Sequence, residues 1–178
     1  TFFLQHKIDT GDIIFQEKVD IAENETAGEL HDKLMNVGAG LVVKTLGAIE
    51  NGTAPSNPQK IVGKSQEAPK IFKETCKIDW NKSANDVFNH IRGLSPYPTA
   101  FTTLVSGDEE IGLKVFKASK SELSQEAKLG TIRIENQCMF VKCADGWLEV
   151  LELQMAGKKR METKALLLGY SLNDFRCD

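Results

Sequence analysis

Apolar and polar positions change their spacing twice along the chain. The opening run Thr1-Phe2-Phe3-Leu4-Gln5 and the β-branched alternation over residues 13 to 21 have the period of two that strands carry, with a turn expected over residues 9 to 12. A long helix follows. Thr26 and Glu29 form a capping-box pair able to satisfy the open amides of its first turn, and Gly52 supplies a left-handed stop. Leu30, Leu34, Val37, Leu41 and Leu46 give this helix one apolar stripe, which predicts a buried face. Residues 51 to 75 then hold Pro55, Pro58 and Pro69 among several Lys and Ser, with few large apolar side chains, as an extended connector does.

Past the connector, Ser83 or Asn85 can cap a short helix with Val87, Phe88, Ile91 and Leu94 on one face. The period of two then returns in five short runs, over residues 100 to 105, 111 to 118, 130 to 134, 139 to 143 and 147 to 153. Turn-forming triplets such as Ser106-Gly107-Asp108 and Ala144-Asp145-Gly146 separate them. Five short strands in about a hundred residues predict a small barrel, closed or nearly so. A last helix over residues 163 to 168 is ended by Gly169.

Composition narrows the function classes. The 178 residues are 41% hydrophobic and 26% charged, the profile of a soluble globular chain. The formal net charge of -3 excludes a global positive field, so any nucleic-acid site has to be a local patch. No apolar run approaches the roughly 20 residues of a membrane span, and no membrane association is expected. Cys76, Cys138, Cys143 and Cys177 form no C-x-x-C pair and read as reduced structural thiols of a cytoplasmic protein. Two strands and one helix bury little, so the first sixty residues read as an incomplete α/β unit, and further sequence is expected ahead of Thr1.

Candidate chemistry gathers at two places. Ile8-Asp9-Thr10-Gly11-Asp12-Ile13 sets two carboxylates and a glycine at a strand junction. Its plain reading is a tight turn; its functional reading is that Asp9 projects from a strand end into a cleft, ordering water or accepting a proton. Asp-Thr-Gly also matches the aspartic-protease signature, but one copy would require a homodimer, and Asp12 puts an extra charge beside the pair. His6, His31 and His90 lack zinc-ligand spacing, so no metal is expected. Gly38 and Gly40 lie inside the long helix, where no phosphate loop forms. The second place is Gly157-Lys158-Lys159-Arg160, three consecutive bases after the last expected strand. They are either a solvated loop or the phosphate-binding rim of a barrel.

Phe3-Leu4-Gln5, residues 8 to 14, Ile78-Asp79-Trp80, residues 91 to 98 and residues 154 to 161 occur in that order and resemble the methionyl-tRNA formyltransferase family over nearly the whole chain. The resemblance implies an α/β Rossmann-like formyltransferase domain remnant followed by an OB-like β-barrel C-terminal domain. The corresponding spans are the catalytic-domain part over residues 1 to 60, a linker over 61 to 76 and the tRNA-binding barrel over 77 to 178. It further implies formyl transfer from 10-formyltetrahydrofolate to the amino group of initiator methionyl-tRNA in translation initiation, in the cytoplasm, by a protein monomeric at full length and needing no metal. Asp9 matches the family's catalytic aspartate. The asparagine and histidine that act beside it come earlier in the family chain, and His6 does not stand in for that histidine, so a polypeptide beginning at Thr1 is expected to be inactive alone. Gln5, His6, Lys7 and Ile8 become candidate folate contacts, and Lys158, Lys159, Arg160 and Arg92 candidate tRNA contacts. Tyr97, Ser95 and Met155 depart mildly from the usual family residues. Two alternatives stand beside this reading: an amino-sugar formyltransferase of the same superfamily, and a non-catalytic RNA-binding OB module.

Overall fold

The structure is a computed structural model that describes residues 1 to 59 and 68 to 178. Its internal contacts divide the chain into two units, one of Thr1–Glu25 with Glu29–Lys70, the other of Thr26–Gly28 with Ile71–Asp178. The linker expected over 61 to 76 lies outside the described residues as far as residue 67. Its last part, Glu74–Cys76, is a short 3-10 turn that sends Cys76 into the core of the second unit.

In the first unit the long helix is present as α1 (Ala27–Glu50), whereas the two expected strands are not. On either side of the turn around Asp9 the chain runs as two segments that, among the described residues, pair through single bridges, Phe2 with Ile13 and Ile13 with Asn57. A strand requires a ladder of hydrogen-bonded neighbours, and an apolar alternation without one stays an extended segment. The stripe predicted for α1 is also corrected. Leu34 and Leu46 are 48% and 61% exposed, and the buried residue of the helix is Thr45, whose hydroxyl meets that of Thr1 at 2.8 Å. The stripe fixed the helix but not a cover for it.

The second unit follows the hydrophobic pattern closely. Ser83 caps α2 (Ala84–Leu94) by accepting a hydrogen bond from the Asp86 amide at 3.0 Å, and Val87, Phe88, Ile91 and Leu94 are all buried, as their spacing predicts. The five strands appear as β1 (Ala100–Ser106), β2 (Glu109–Ser121), β3 (Ile132–Glu135), β4 (Cys138–Lys142) and β5 (Trp147–Met155). Two more that alternation over such short lengths could not announce are β6 (Met161–Glu162) and β7 (Arg176–Cys177), with α3 (Thr163–Leu167) between them. They form one antiparallel sheet in the order β3-β4-β5-β2-β1-β7, with β6 added beside β5. Register shifts flank Lys117 in the β2–β5 pair, and the core face moves from Leu113 and Val115 to Ala118 across them. Such irregularities increase twist, and the sheet curls into a half-barrel consistent with an OB-like fold.

The curl brings the sheet's two edges together. Thr131, just before β3, bridges Arg176 of β7, and the Cys177 amide donates to the Gly130 carbonyl at 2.8 Å. Next to this seam the Asp178 amide donates to Thr103 O at 2.9 Å, while its carbonyl accepts from the Thr102 hydroxyl at 2.7 Å. Thr102 in turn accepts from the buried Trp80 indole at 3.0 Å. Gly130 has φ +72°, and a Cβ there would collide with the Cys177 carbonyl oxygen, so the seam depends on the residue that has none.

All four cysteines are unpaired. Burial, helped by the Asp145 carboxylate, pushes the Cys143 thiol up to about 12, and burial raises that of Cys177 as well. Among the described residues no helix is long and apolar enough to cross a membrane.

Two outcomes test the seam. Gly130→Ala should lower stability in denaturant unfolding by about 3 kcal/mol, combining a positive-φ cost of roughly 1–2 with an overpacking cost of about 1–3; an unchanged midpoint would mean that the edges do not meet there. Iodoacetamide at about pH 8 should leave Cys177 unmodified in the native protein, because a buried thiol of raised pKa offers little thiolate. Its modification at the rate of a denatured control would show the seam open.

Candidate functional site

Asp9 lies at the tip of the turn between the two extended segments, exposed, with φ +58°. The turn is built by neighbours: the Thr10 hydroxyl donates to Lys7 O at 2.9 Å, the Phe3 amide to Asp12 O at 2.9 Å, and the Gln59 amide nitrogen to Gly11 O at 2.7 Å. Asp12 accepts from the Ser56 hydroxyl at 2.5 Å, so it braces the loop while Asp9 projects outward. Gln5, His6, Lys7 and Ile8 are exposed alongside it. The strand-end placement expected for Asp9 is replaced by a turn, because neither flank forms a ladder.

The basic run occupies the hairpin between β5 and β6, which pair Leu153 with Met161 and Glu152 with Glu162. Its turn is tied to the sheet where the Ala156 amide donates to Gly112 O on β2, and it closes through Lys158 N to Met155 O at 2.9 Å. Gly157 stands at the third turn position with φ +75°, a conformation that favours glycine. The three bases are not equivalent. Arg160 donates through Nε and Nη2 to the two oxygens of Glu152, each at 2.7 Å, and its guanidinium lies 4.2 Å from the centroid of the Phe116 ring. Hydrogen bonding to Arg160 holds the Glu152 carboxyl below its ordinary range, and the same bond raises the arginine. Fork-to-fork pairing and the contact with the Phe116 ring make Arg160 the fastener of the hairpin, its charge paired with Glu152 at the surface. Lys158, whose ammonium is 5.6 Å from the Tyr170 ring centroid, and Lys159 remain exposed at the tip.

Arg92 sits on a different element. On α2 its Nε donates to Asn89 at 2.8 Å, and its guanidinium lies 5.8 Å from the Phe88 ring centroid. Sequence reasoning named the basic run because three adjacent lysines and arginines are visible without a fold. It missed a cleft of about 790 Å³ beside the hairpin, lined by Phe72, Lys73, Tyr97, Phe101, Lys114 and Met155 among others. These residues come from four separate segments, and no local pattern links them. Among the described residues no group of three or more His, Cys, Asp or Glu is placed to hold a metal ion.

Against known proteins, the model of the family described as "Formyl transferase, C-terminal domain" matches residues 70–171, which takes in the whole sheet up to α3 and the basic hairpin. The chain belongs to the formyl transferase C-terminal domain family. A methionyl-tRNA formyltransferase from Phocaeicola vulgatus is 45% identical over 181 residues, covering 98% of this chain and 56% of that protein. The chain therefore spans about half the length of the curated relatives it matches. Among solved structures, HypX from Aquifex aeolicus in complex with tetrahydrofolic acid aligns at 17% identity and TM-score 0.63, over 94% of this chain and 29% of that one. An N-formyltransferase from Helicobacter canadensis, in complex with folinic acid and dTDP-3-aminofucose, aligns at 19% and TM-score 0.60, over 90% and 54%. These last two likenesses show a shared fold.

The geometry separates the three bases by experiment. On the reading of the run as a phosphate-binding rim, Lys158→Glu with Lys159→Glu should weaken RNA binding and lower the slope of log affinity against log salt by about one unit per lost phosphate contact. Arg160→Gln should leave that slope near the parent's while loosening the hairpin. A slope unmoved by the lysine changes would return the hairpin to the role of a solvated turn.

Proposed function

We propose that the protein to which this chain belongs is a methionyl-tRNA formyltransferase, moving a formyl group from 10-formyltetrahydrofolate to the amino group of initiator methionyl-tRNA in the bacterial cytoplasm, as a monomer. The observation that carries the reading is the 45% identity to such an enzyme across 98% of the chain, a span that includes both the Asp9 turn and the basic hairpin. On this reading residues 1 to 60 close a Rossmann-like catalytic domain, residues 61 to 76 link it onward, and residues 77 to 178 form an OB-like tRNA-binding domain. The apolar side chains that α1 leaves exposed, such as Met35, Val42, Val43 and Ile49, are what a domain's remaining part would cover.

The residues fit the chemistry. Gln5, His6 and Lys7 are exposed donors beside an Ile8 that is 84% exposed, a combination suited to one edge of a flat, anionic folate. When bound, the co-substrate supplies the formyl carbon. A bond forms from the methionyl nitrogen to that carbon, the bond from the carbon to the folate nitrogen breaks, and one proton passes from the attacking nitrogen to the leaving one. Asp9, a carboxylate on an exposed turn, would carry that proton through water. Oxyanion stabilisation then falls to groups outside residues 1 to 178, so this chain alone should be inactive. Lys158 and Lys159 would hold the phosphates of the tRNA, with Arg160 and Arg92 supporting them.

In the whole gene product, Asp9→Asn should lower kcat by about 10²–10⁴-fold, the usual worth of a positioned acid or base, with the dissociation constant for initiator tRNA within twofold of the parent. Activity at the parental level would remove Asp9 from the mechanism. An amino-sugar acceptor is the second reading, favoured by the Helicobacter canadensis likeness. Formylation of a nucleotide-linked amino sugar in preference to methionyl-tRNA would establish it.

A further inference from the structure

The cleft beside the hairpin has a chemical character that its neighbours lack. Tyr97 on its wall is 86% exposed and Phe72 57%, a large outlay of aromatic surface for a region outside the core. Such surface, gathered in a concavity of about 790 Å³, marks a binding site more often than a packing accident. Its charged lining consists of Lys73 and Lys114, both exposed, with no carboxylate among the lining residues. Two other clefts of the same unit, of about 430 and 400 Å³, are lined in part by Glu74, Asp79 and Asp178, and by Glu149, Glu152 and Glu162. Each of those two also holds two basic side chains, but carboxylates outnumber them there and are absent from the large cleft, which makes the large cleft the better match for a phosphate. Gly157, which ends the lining of the large cleft, is also the residue that starts the Lys158-Lys159 tip, so positive charge continues from cleft to hairpin without a break in the chain.

An occupant must therefore be flat and apolar in one part and anionic in another, with its negative charge extending past the cleft. We infer that this cleft seats an unpaired nucleotide of the bound tRNA, its base against Tyr97 and Phe72 and its flanking phosphates on Lys73 and Lys114, the strand running on towards Lys158 and Lys159. A paired base has no open face, whereas an unstacked one gains a π surface that is indifferent to base identity. The Tyr97 hydroxyl is not required for this. The proposal rests on the tRNA reading above and adds to it a place and a conformation for one nucleotide.

The test uses the whole gene product titrated with initiator tRNA at several salt concentrations. Tyr97→Ala should weaken binding about 5- to 100-fold, the worth of one base–aromatic stack, without changing the salt slope. Tyr97→Phe should restore parental affinity, and Lys114→Ala should lower the slope by about one unit. Because Tyr97 is almost fully exposed, its truncation leaves the fold intact, and circular dichroism provides the check. Unchanged tRNA affinity in Tyr97→Ala, together with a lowered slope in the Lys158→Glu, Lys159→Glu variant, would overturn the cleft proposal and leave the tRNA reading standing. No effect in either variant would end both. A Tyr97→Ala protein that binds tRNA normally but has a raised KM for 10-formyltetrahydrofolate would also overturn the proposal, since the flat anion in the cleft would then be the folate.

Discussion

A sheet that curls must do something with its two open edges, and here three residues of the chain settle the matter. Arg176, Cys177 and Asp178 pair with Thr131, Gly130 and Thr103, so unsatisfied backbone groups of β1 and of the segment leading into β3 find partners in one short strand. The buried relay from the Trp80 indole through the Thr102 hydroxyl to the Asp178 carbonyl ties the entry of the second unit to this same place. Close approach is possible only because Gly130 lacks a Cβ. With the edges joined, α2 and the sheet enclose one continuous apolar core that runs from Cys76 to Cys177.

What the core supports on its outside is a hairpin whose charges have been sorted by geometry. Arg160 is held by Glu152 and by the face of Phe116, a ring buried beside Val115 yet outside the main cluster. An exposed ion pair of this kind contributes little to stability, about 0–1 kcal/mol. Its consequence is positional: the fork and ring fix the second arm of the hairpin, and the two lysines at the tip are presented at low entropic cost. The register shifts around Lys117 place Phe116 where the arginine can cover it. A structural irregularity in β2 thus reaches the residues proposed to meet RNA.

The first unit works under a different constraint. Its turn is well braced, by Thr10, Asp12 and Gln59, so Asp9 has a defined position even though nothing in the described residues encloses it. Around it, Phe2, Phe3, Leu4 and Ile8 are exposed, as is much of α1. Proton transfer in acyl exchange requires a carboxylate aimed at a reacting atom and shielded from bulk water. The first requirement can be met by a turn of this chain. The second, in the proposed function, is met by residues beyond it.

Local sequence alone determined the five strands of the curled sheet, the cap and buried face of α2, the existence of α1 and the adjacency of three bases after β5. Each of these is a short-range property: alternation, a helical stripe and a capping hydroxyl act within a few residues and need no distant partner. Tertiary structure decided everything that depends on a partner far along the chain. The alternation over residues 1 to 21 found isolated bridges, at Phe2–Ile13 and Ile13–Asn57, and no continuous ladder among the described residues, and the stripe of α1 did not select a cover. β7, two residues long, exists because Gly130 and Thr103 come to it. Arg160 differs from Lys158 and Lys159 because the hairpin brings Glu152 within its reach and the sheet brings Phe116 beside it. The cleft with Tyr97, Phe72 and Lys114 is assembled from separate segments, and only the closed curl of the sheet sets them around one space.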